Sequence, residues 1–135
     1  MPLIIWNEGF SVNIKEIDEQ HKKLFNLINM LHDAMKKGGD KEVLAEILQG
    51  LVDYTKYHFS TEEKYMSSFK YPDYHSHKAE HGEFIEKVLE FCKDFSEDKI
   101  GLSILIMPFL TDWLSNHILV NDKKYGSYFN KMGIK

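Results

Sequence analysis

The stretch HSHKAEH at positions 75–81 holds three of the seven histidines of a 135-residue chain. Two of them, His77 and His81, stand four residues apart, as do His58 and Glu62. On a helix, residues at i and i+4 project from one face, so each pair offers two donors side by side. Imidazole and carboxylate together are a ligand set for first-row transition metals. His21 and His117 share a further property with these pairs, for all of them fall on apolar helical stripes and not on polar faces. Four candidate helices thus each send at least one ligand-type side chain inward.

The elements that must position these residues follow from hydrophobic periodicity. Residues 1–16, rich in aromatic and apolar side chains but without helical period, read as an arm laid over the body of the domain, with Trp6 as its packing anchor. Ile17, His21, Leu24, Phe25, Ile28, Leu31 and Met35 then follow the 3/4 spacing of a helix over about 17–37, stopped by Gly38 and Gly39. Asp40 is placed to cap a second helix over about 41–66, with Ile47, Leu51, Tyr54, His58, Glu62 and Tyr65 on one stripe. Tyr71-Pro72-Asp73 breaks the chain before a third helix over 73–96, whose inward face carries His77, His81, Phe84, Val88, Phe91 and Phe95. A fourth spans about 100–120 through Leu110, Trp113, Leu114 and His117, and Pro108 must either kink it or mark its true first turn. Four amphipathic runs, short loops and no alternating strand pattern predict an all-α fold: an antiparallel up-down four-helix bundle, one domain over 1–135, with an N-terminal arm and a short C-terminal tail.

A lone inward histidine is ordinarily a satisfied core residue, and His21 alone would deserve no other reading. Several on facing helices are different, because buried imidazoles and a carboxylate without partners would each cost several kcal/mol, on the order of a lost buried hydrogen bond or more, whereas a bound metal satisfies all of them together. The remaining candidates point elsewhere. His75 lies about 200° around a helix from His77 and reads as a surface residue, and His32 lies roughly 16 Å along the helix from His21. Cys92 and the scattered methionines read as core filler. Five histidines and a carboxylate exceed what one tetrahedral zinc takes, so two metals are indicated. The mixture suits iron, although manganese, cobalt or zinc could fill such a site.

Composition excludes several classes. All seventeen basic residues are lysines and the net charge is -4, which leaves no bidentate donor for phosphate or guanine, so no nucleic acid is expected as partner. No apolar run approaches the roughly 20 residues that span a bilayer, so a membrane protein is not expected. The single cysteine cannot form an intrachain bridge, and MPLIIWNEGF lacks the features of a secretory leader, so a cytoplasmic location is expected.

Taken together, IDEQH with His21, H-x-x-x-E at His58 and Glu62, YPDYHSHKAEH with His77 and His81, and WLSNHILVND with His117 and Asp122 resemble the hemerythrin family in its bacterial single-domain form. The aromatic arm and the DKKY that follows Asp122 extend the resemblance nearly end to end. It implies a non-haem centre of two irons joined by an oxo or hydroxo bridge, with His77, His81 and His117 on one iron, His21 and His58 on the other, and Glu62 and Asp122 bridging. Counting these ligands against two octahedral irons leaves one position open, on the iron with two histidines. The resemblance implies that Phe59, Trp113, Leu114 and Ile118 line a dioxygen pocket there, and the bland alternative for each is core packing. It further implies reversible dioxygen binding for storage, transport or delivery to an oxygen-consuming enzyme, in a monomer with at most a weak oxidase or peroxidase side activity. A di-iron enzyme that scavenges oxygen or peroxide, or an oxygen sensor, is the alternative. His117 and Asp122, five residues apart, are about 140° out of phase on a regular helix. The fourth helix must therefore end or bulge between them, and a π-type turn would serve.

Overall fold

The computed structural model describes residues 3–38, 41–97 and 102–135, with the backbone alone at 102–104. A 3-10 turn at Glu8–Phe10 is followed by α1 (Lys15–Lys36), α2 (Lys41–Ser68), α3 (Tyr74–Ser96), α4 (Leu102–Asn116), a π turn at His117–Asp122 and α5 (Lys123–Lys131). Contacts run from α1 to α2, α2 to α3, α3 to α4 and α4 back to α1, which closes the four helices into a ring. Joined by short connections, they form an antiparallel four-helix bundle. No strand occurs among the described residues, and no described helix is long and apolar enough to cross a membrane.

The periodicity marks the buried stripe of α1 but only part of that of α2. There Leu51, His58 and Glu62 are buried as expected, Ile47, Tyr54 and Tyr65 are half-buried at its edge, and Leu48, Val52, Thr55, Phe59 and Met66 complete the inward face. In α1 the buried residues are Ile17, Gln20, His21, Leu24, Phe25, Ile28 and Leu31. Asp18, in the first turn, accepts from the Val12 N–H (2.9 Å) and the Ser11 hydroxyl (2.6 Å), and so ties the arm to the favourable end of the helix dipole. Gly38, at φ +64°, closes the other end in the left-handed conformation that a residue with a Cβ adopts only at a cost. The expected stop at Gly39 and cap at Asp40 lie outside the described residues. The arm is clamped by Asn29, which accepts from the Leu3 and Ile4 N–H groups (2.8 and 3.0 Å) and donates to the Ile4 carbonyl (2.8 Å). Trp6 packs on Phe10 and Phe25 with ring centroids 5.9 and 5.8 Å away.

The fourth helical segment departs from expectation. Its expected start at 100 lies outside the described residues. Pro108 stands inside α4, on an exposed face, so it does not mark the first turn. Past His117 the helix does not end near 120: it widens into the π turn and resumes as α5 to Lys131, so that only the last four residues form the tail. The physical reason is the apolar content of the continuation, in which Tyr125 and Phe129 are fully buried. Gly126 is required there, because a Cβ would meet the Val12 carbonyl oxygen at 2.8 Å.

The core has two apolar clusters with a polar layer between them. Val12, Ile14, Ile17, Met66, Tyr71, Tyr125 and Phe129 form the smaller cluster. Leu24, Phe59, Phe84, Leu114 and Ile118 belong to the larger. Reading α1 from Ile17 through His21 to Leu24, one passes from the first cluster to the second through a single buried histidine. The other helices repeat this order through His58 and Glu62, through His77 and His81, and through Asp122 and His117.

Candidate metal centre

All seven residues singled out as ligands are buried, with exposures from 0% for His21 and Glu62 to 4% for His77 and His117. Each histidine turns Nε2 inward. Glu62 Oε1 lies 3.4 Å from His58 and 3.2 Å from His81, and its Oε2 lies 3.6 Å from His21. Asp122 Oδ1 lies 2.9 Å from His77 and 3.1 Å from His117, and its Oδ2 lies 3.1 Å from His21. His81 Nε2 and His117 Nε2 face each other at 3.1 Å.

These donors form two overlapping groups: Glu62, His77, His81, His117 and Asp122 in one, and His21, His58, Glu62 and Asp122 in the other. Within each group the ligand atoms lie within 4.8 Å of one another, and both groups contain the same two carboxylates. The donor spacing fits a metal. Bonds of about 2.1 Å at right angles put neighbouring ligand atoms about 3 Å apart, close to the separations seen here. Hydrogen bonding alone leaves the layer unsatisfied, since both nitrogens of His21, Nε2 of His77, Oε1 of Glu62 and Oδ1 of Asp122 are buried without a hydrogen-bond partner. His77 and Asp122 approach to 2.9 Å and yet their atoms are out of line for a bond. Lone pairs that converge on common points are what a cation relieves.

The regular helix α2 places His58 and Glu62 one turn apart on the same face. On the fourth segment the π turn does the equivalent for residues five apart: the Lys123 N–H donates to the Ile118 carbonyl across five residues, and His117 and Asp122 come together.

The outward edges of three of the histidines are held by residues that the sequence reading did not single out. His81 Nδ1–H donates to Glu63 Oε2 (2.9 Å), and His58 Nδ1–H donates to Gln20 Oε1 (2.7 Å). His117 Nδ1 lies 3.4 Å from both Glu80 and the Asn121 amide nitrogen, and Asn121 donates to Glu80. The Tyr125 hydroxyl donates to Glu62 Oε2. Gln20 had a legible signal, since it lies three residues after Ile17 on the buried stripe. Glu63 and Glu80 had none beyond adjacency to Glu62 and His81, because charged residues beside a stripe ordinarily face solvent. His75 is exposed and stacks on Tyr74, and His32 is half-buried away from the layer.

Electrostatics divides the layer. Burial lowers His21 and His81, but the carboxylates beside them, Asp122 and Glu62 for the first and Glu62 and Glu63 for the second, outweigh it and push each up to about 9. Burial prevails at His58, which falls to about 4. Glu62 and Asp122 are raised by burial, but the surrounding histidines outweigh it and hold both below the ordinary carboxylate range. Burial, reinforced by Glu62, pushes the Tyr125 phenol well up, so it remains a proton donor to that carboxylate.

The four residues expected to line a pocket sit against the layer on the side of the larger cluster. Phe59 stacks flat on His81, with centroids 3.7 Å apart and planes at 2°, and Trp113 stacks on His117 at 4.4 Å. Leu114 and Ile118 are buried beside them, 3% and 0% exposed.

Residues 12–129 match the family model "Hemerythrin HHE cation binding domain". The bacteriohemerythrin of Methylococcus capsulatus is 35% identical over 127 residues, covering 93% of this chain and 96% of that protein. That of Clostridium acetobutylicum is 33% identical, covering 91% and 98%. A solved structure of wild-type hemerythrin superimposes with a TM-score of 0.86 at 34% identity, covering 93% of this chain and 96% of that one. Matched by the family model over most of its length, and a third identical to proteins that it covers almost end to end, this chain belongs to the hemerythrin family.

Proposed function

We propose that the chain binds dioxygen reversibly at a di-iron centre, for storage, transport or delivery to an oxygen-using enzyme. The observation that carries this reading is the pair of ligand groups sharing Glu62 and Asp122. His77, His81 and His117 would hold one iron, His21 and His58 the other, and the two carboxylates both. Bound there, ferrous ions would supply the electrons and the open coordination position that dioxygen needs.

The protein's own residues set the conditions for reversibility. Phe59, Trp113, Leu114 and Ile118 present apolar surface to the layer and keep out water and protons, which would turn a reversible ligand into a released product. Tyr125 fixes the orientation of Glu62 from the other side. Five imidazoles against two carboxylates supply little negative charge to support high-valent iron, which favours binding over oxidation chemistry.

The test is oxygen uptake by protein loaded with iron and reduced anaerobically. About one dioxygen per two irons should be taken up and returned on exchange with argon through repeated cycles. Uptake without return, or uptake that needs a continuous supply of reductant, would assign the centre to a di-iron enzyme instead.

A further inference from the structure

The two halves of the centre are backed differently. Behind the three-histidine half stand two carboxylates: Glu63 accepts from His81 Nδ1–H at 2.9 Å, and Glu80 lies 3.4 Å from His117 Nδ1, beside the Asn121 amide at the same distance from that nitrogen. Behind the two-histidine half stands one neutral amide, Gln20, which accepts from His58 Nδ1–H at 2.7 Å, while Nδ1 of His21 is buried without a hydrogen-bond partner. His81 is gripped at both ends by consecutive residues of α2, with Glu62 Oε1 3.2 Å from its Nε2 and Glu63 Oε2 at its Nδ1.

Resting on the di-iron reading above, we propose that Glu63 and Glu80 are positioning residues that make the three-histidine half the stronger electron donor, so that its metal is the one more readily held as the ferric ion. The reason is local. A carboxylate that accepts a hydrogen bond from the back of an imidazole fixes which nitrogen carries the proton, aims the opposite lone pair inward and raises the basicity of that nitrogen. An amide oxygen at the same place orients the ring but adds no net charge. Glu63 is the stronger of the two, since its side chain is 21% exposed where that of Glu80 is 41%, and water screens it less. Asn121, carried in by the π turn, donates to Glu80 and lies 3.4 Å from His117 Nδ1, so Glu80 acts on His117 partly through this amide and less directly than Glu63 acts on His81.

The variants Glu63→Gln, Glu63→Ala and Gln20→Glu test this. Glu63→Gln keeps an acceptor of the same shape and removes only the charge, and the partly exposed site tolerates the change. For each protein, ferrous iron is titrated against a competing chelator, the midpoint potentials of the loaded centre are measured, and the exchangeable Nδ1–H resonances are followed by paramagnetic NMR. Glu63→Gln should lower the ferric-to-ferrous affinity ratio of one metal about tenfold, at the lower end of the effects seen for outer-shell partners, a rise of about 59 mV for one electron. The other metal should be unchanged and the resonance count preserved. Glu63→Ala should also shift the His81 resonance and weaken binding of that metal further. Gln20→Glu should move the second metal the opposite way and make the halves more alike. Midpoints of Glu63→Gln equal to those of the parent, or shifted equally at both metals, would overturn the assignment. Failure of the parent itself to take up two irons would instead count against the di-iron reading.

Discussion

α2 and the fourth helical segment each contribute one histidine and one carboxylate to the same layer, but by different means. α2 runs unbroken for 28 residues, and His58 and Glu62 meet because they are one ordinary turn apart. His117 and Asp122 are five apart, and they meet because the chain widens into a π turn, with Leu119 and Val120 pushed toward solvent at 44% and 54% exposure. A π turn amounts to one residue inserted into an α-helix, which lets the flanking segments keep their inward faces. The same pair of ligand types therefore rests on intrinsic helix geometry in one case and on a local backbone irregularity in the other.

The largest effect expected separates these two solutions directly. Deleting Ser60 turns every later residue of α2 by about 100° relative to the earlier ones, so Glu62 and Met66 leave their faces and the protein should neither fold cooperatively nor load metal. Deleting Val120 removes the extra residue of the π turn and leaves His117 and Asp122 at the α2-like spacing, with α5 still in register. That variant should fold and retain metal, as read by circular dichroism melting and metal analysis. The comparison breaks if the Val120 deletion is the more damaging.

Next in size are the carboxylates themselves. Glu62→Ala and Asp122→Ala should each drop iron from about two to below one per chain, and by similar amounts, because both side chains belong to both ligand groups. Loss of one metal from one variant and two from the other would show that the shared role belongs to one helix only.

Removing metal from the parent should cost roughly 3 to 4 kcal/mol of stability when iron stands at about 100 to 1,000 times its dissociation constant. Apo and holo proteins with the same melting temperature would place binding outside the interhelical layer.

A smaller effect is expected on pH. In the metal-free protein, His21 and His81 are raised to about 9, so their contribution is fully present below the ordinary 6.5 and is lost as pH rises toward 9. His58, lowered to about 4, acts oppositely and costs stability as pH falls from 6.5 toward 4. The depressed carboxyls of Glu62 and Asp122 contribute above the ordinary carboxyl range, and that contribution is lost as pH falls through their lowered values. Iron must displace the protons of His21 and His81, so its apparent affinity should rise between about pH 6.5 and 9 and proton release should accompany loading. Calorimetry in buffers of different ionisation enthalpy measures both, and an affinity that does not change over that range would contradict the sign. The smallest effect is a control: His75→Ala should change neither iron content nor melting temperature, since His75 is exposed and touches Tyr74.

Four amphipathic stripes, the breaks at Gly38 and Tyr71-Pro72, and the i, i+4 pairs were legible in the chain because each is a local, periodic signal. The need for an irregularity between His117 and Asp122 was legible only through the family resemblance, which requires both residues inward and leaves helix arithmetic to do the rest. Its consequence was less so: a fourth helix expected to end near 120 continues to Lys131, because the burial of Tyr125 and Phe129 depends on Val12 and Ile14 of an arm more than a hundred residues away. Pro108 shows the same limit, since a proline tolerated on an exposed face of α4 looks identical in sequence to one that ends a helix.

By itself, then, the sequence determined which residue types face inward and how far apart they lie along each helix, since that depends only on 3.6 residues per turn and on the exclusion of apolar side chains from water. Tertiary structure alone decided what stands behind the ligands. Gln20 meets His58 across α1 and α2, Glu63 meets His81 across α2 and α3, and Tyr125 meets Glu62 from beyond the π turn. Such contacts depend on the relative rotation and height of neighbouring helices, which packing sets and no one helix encodes.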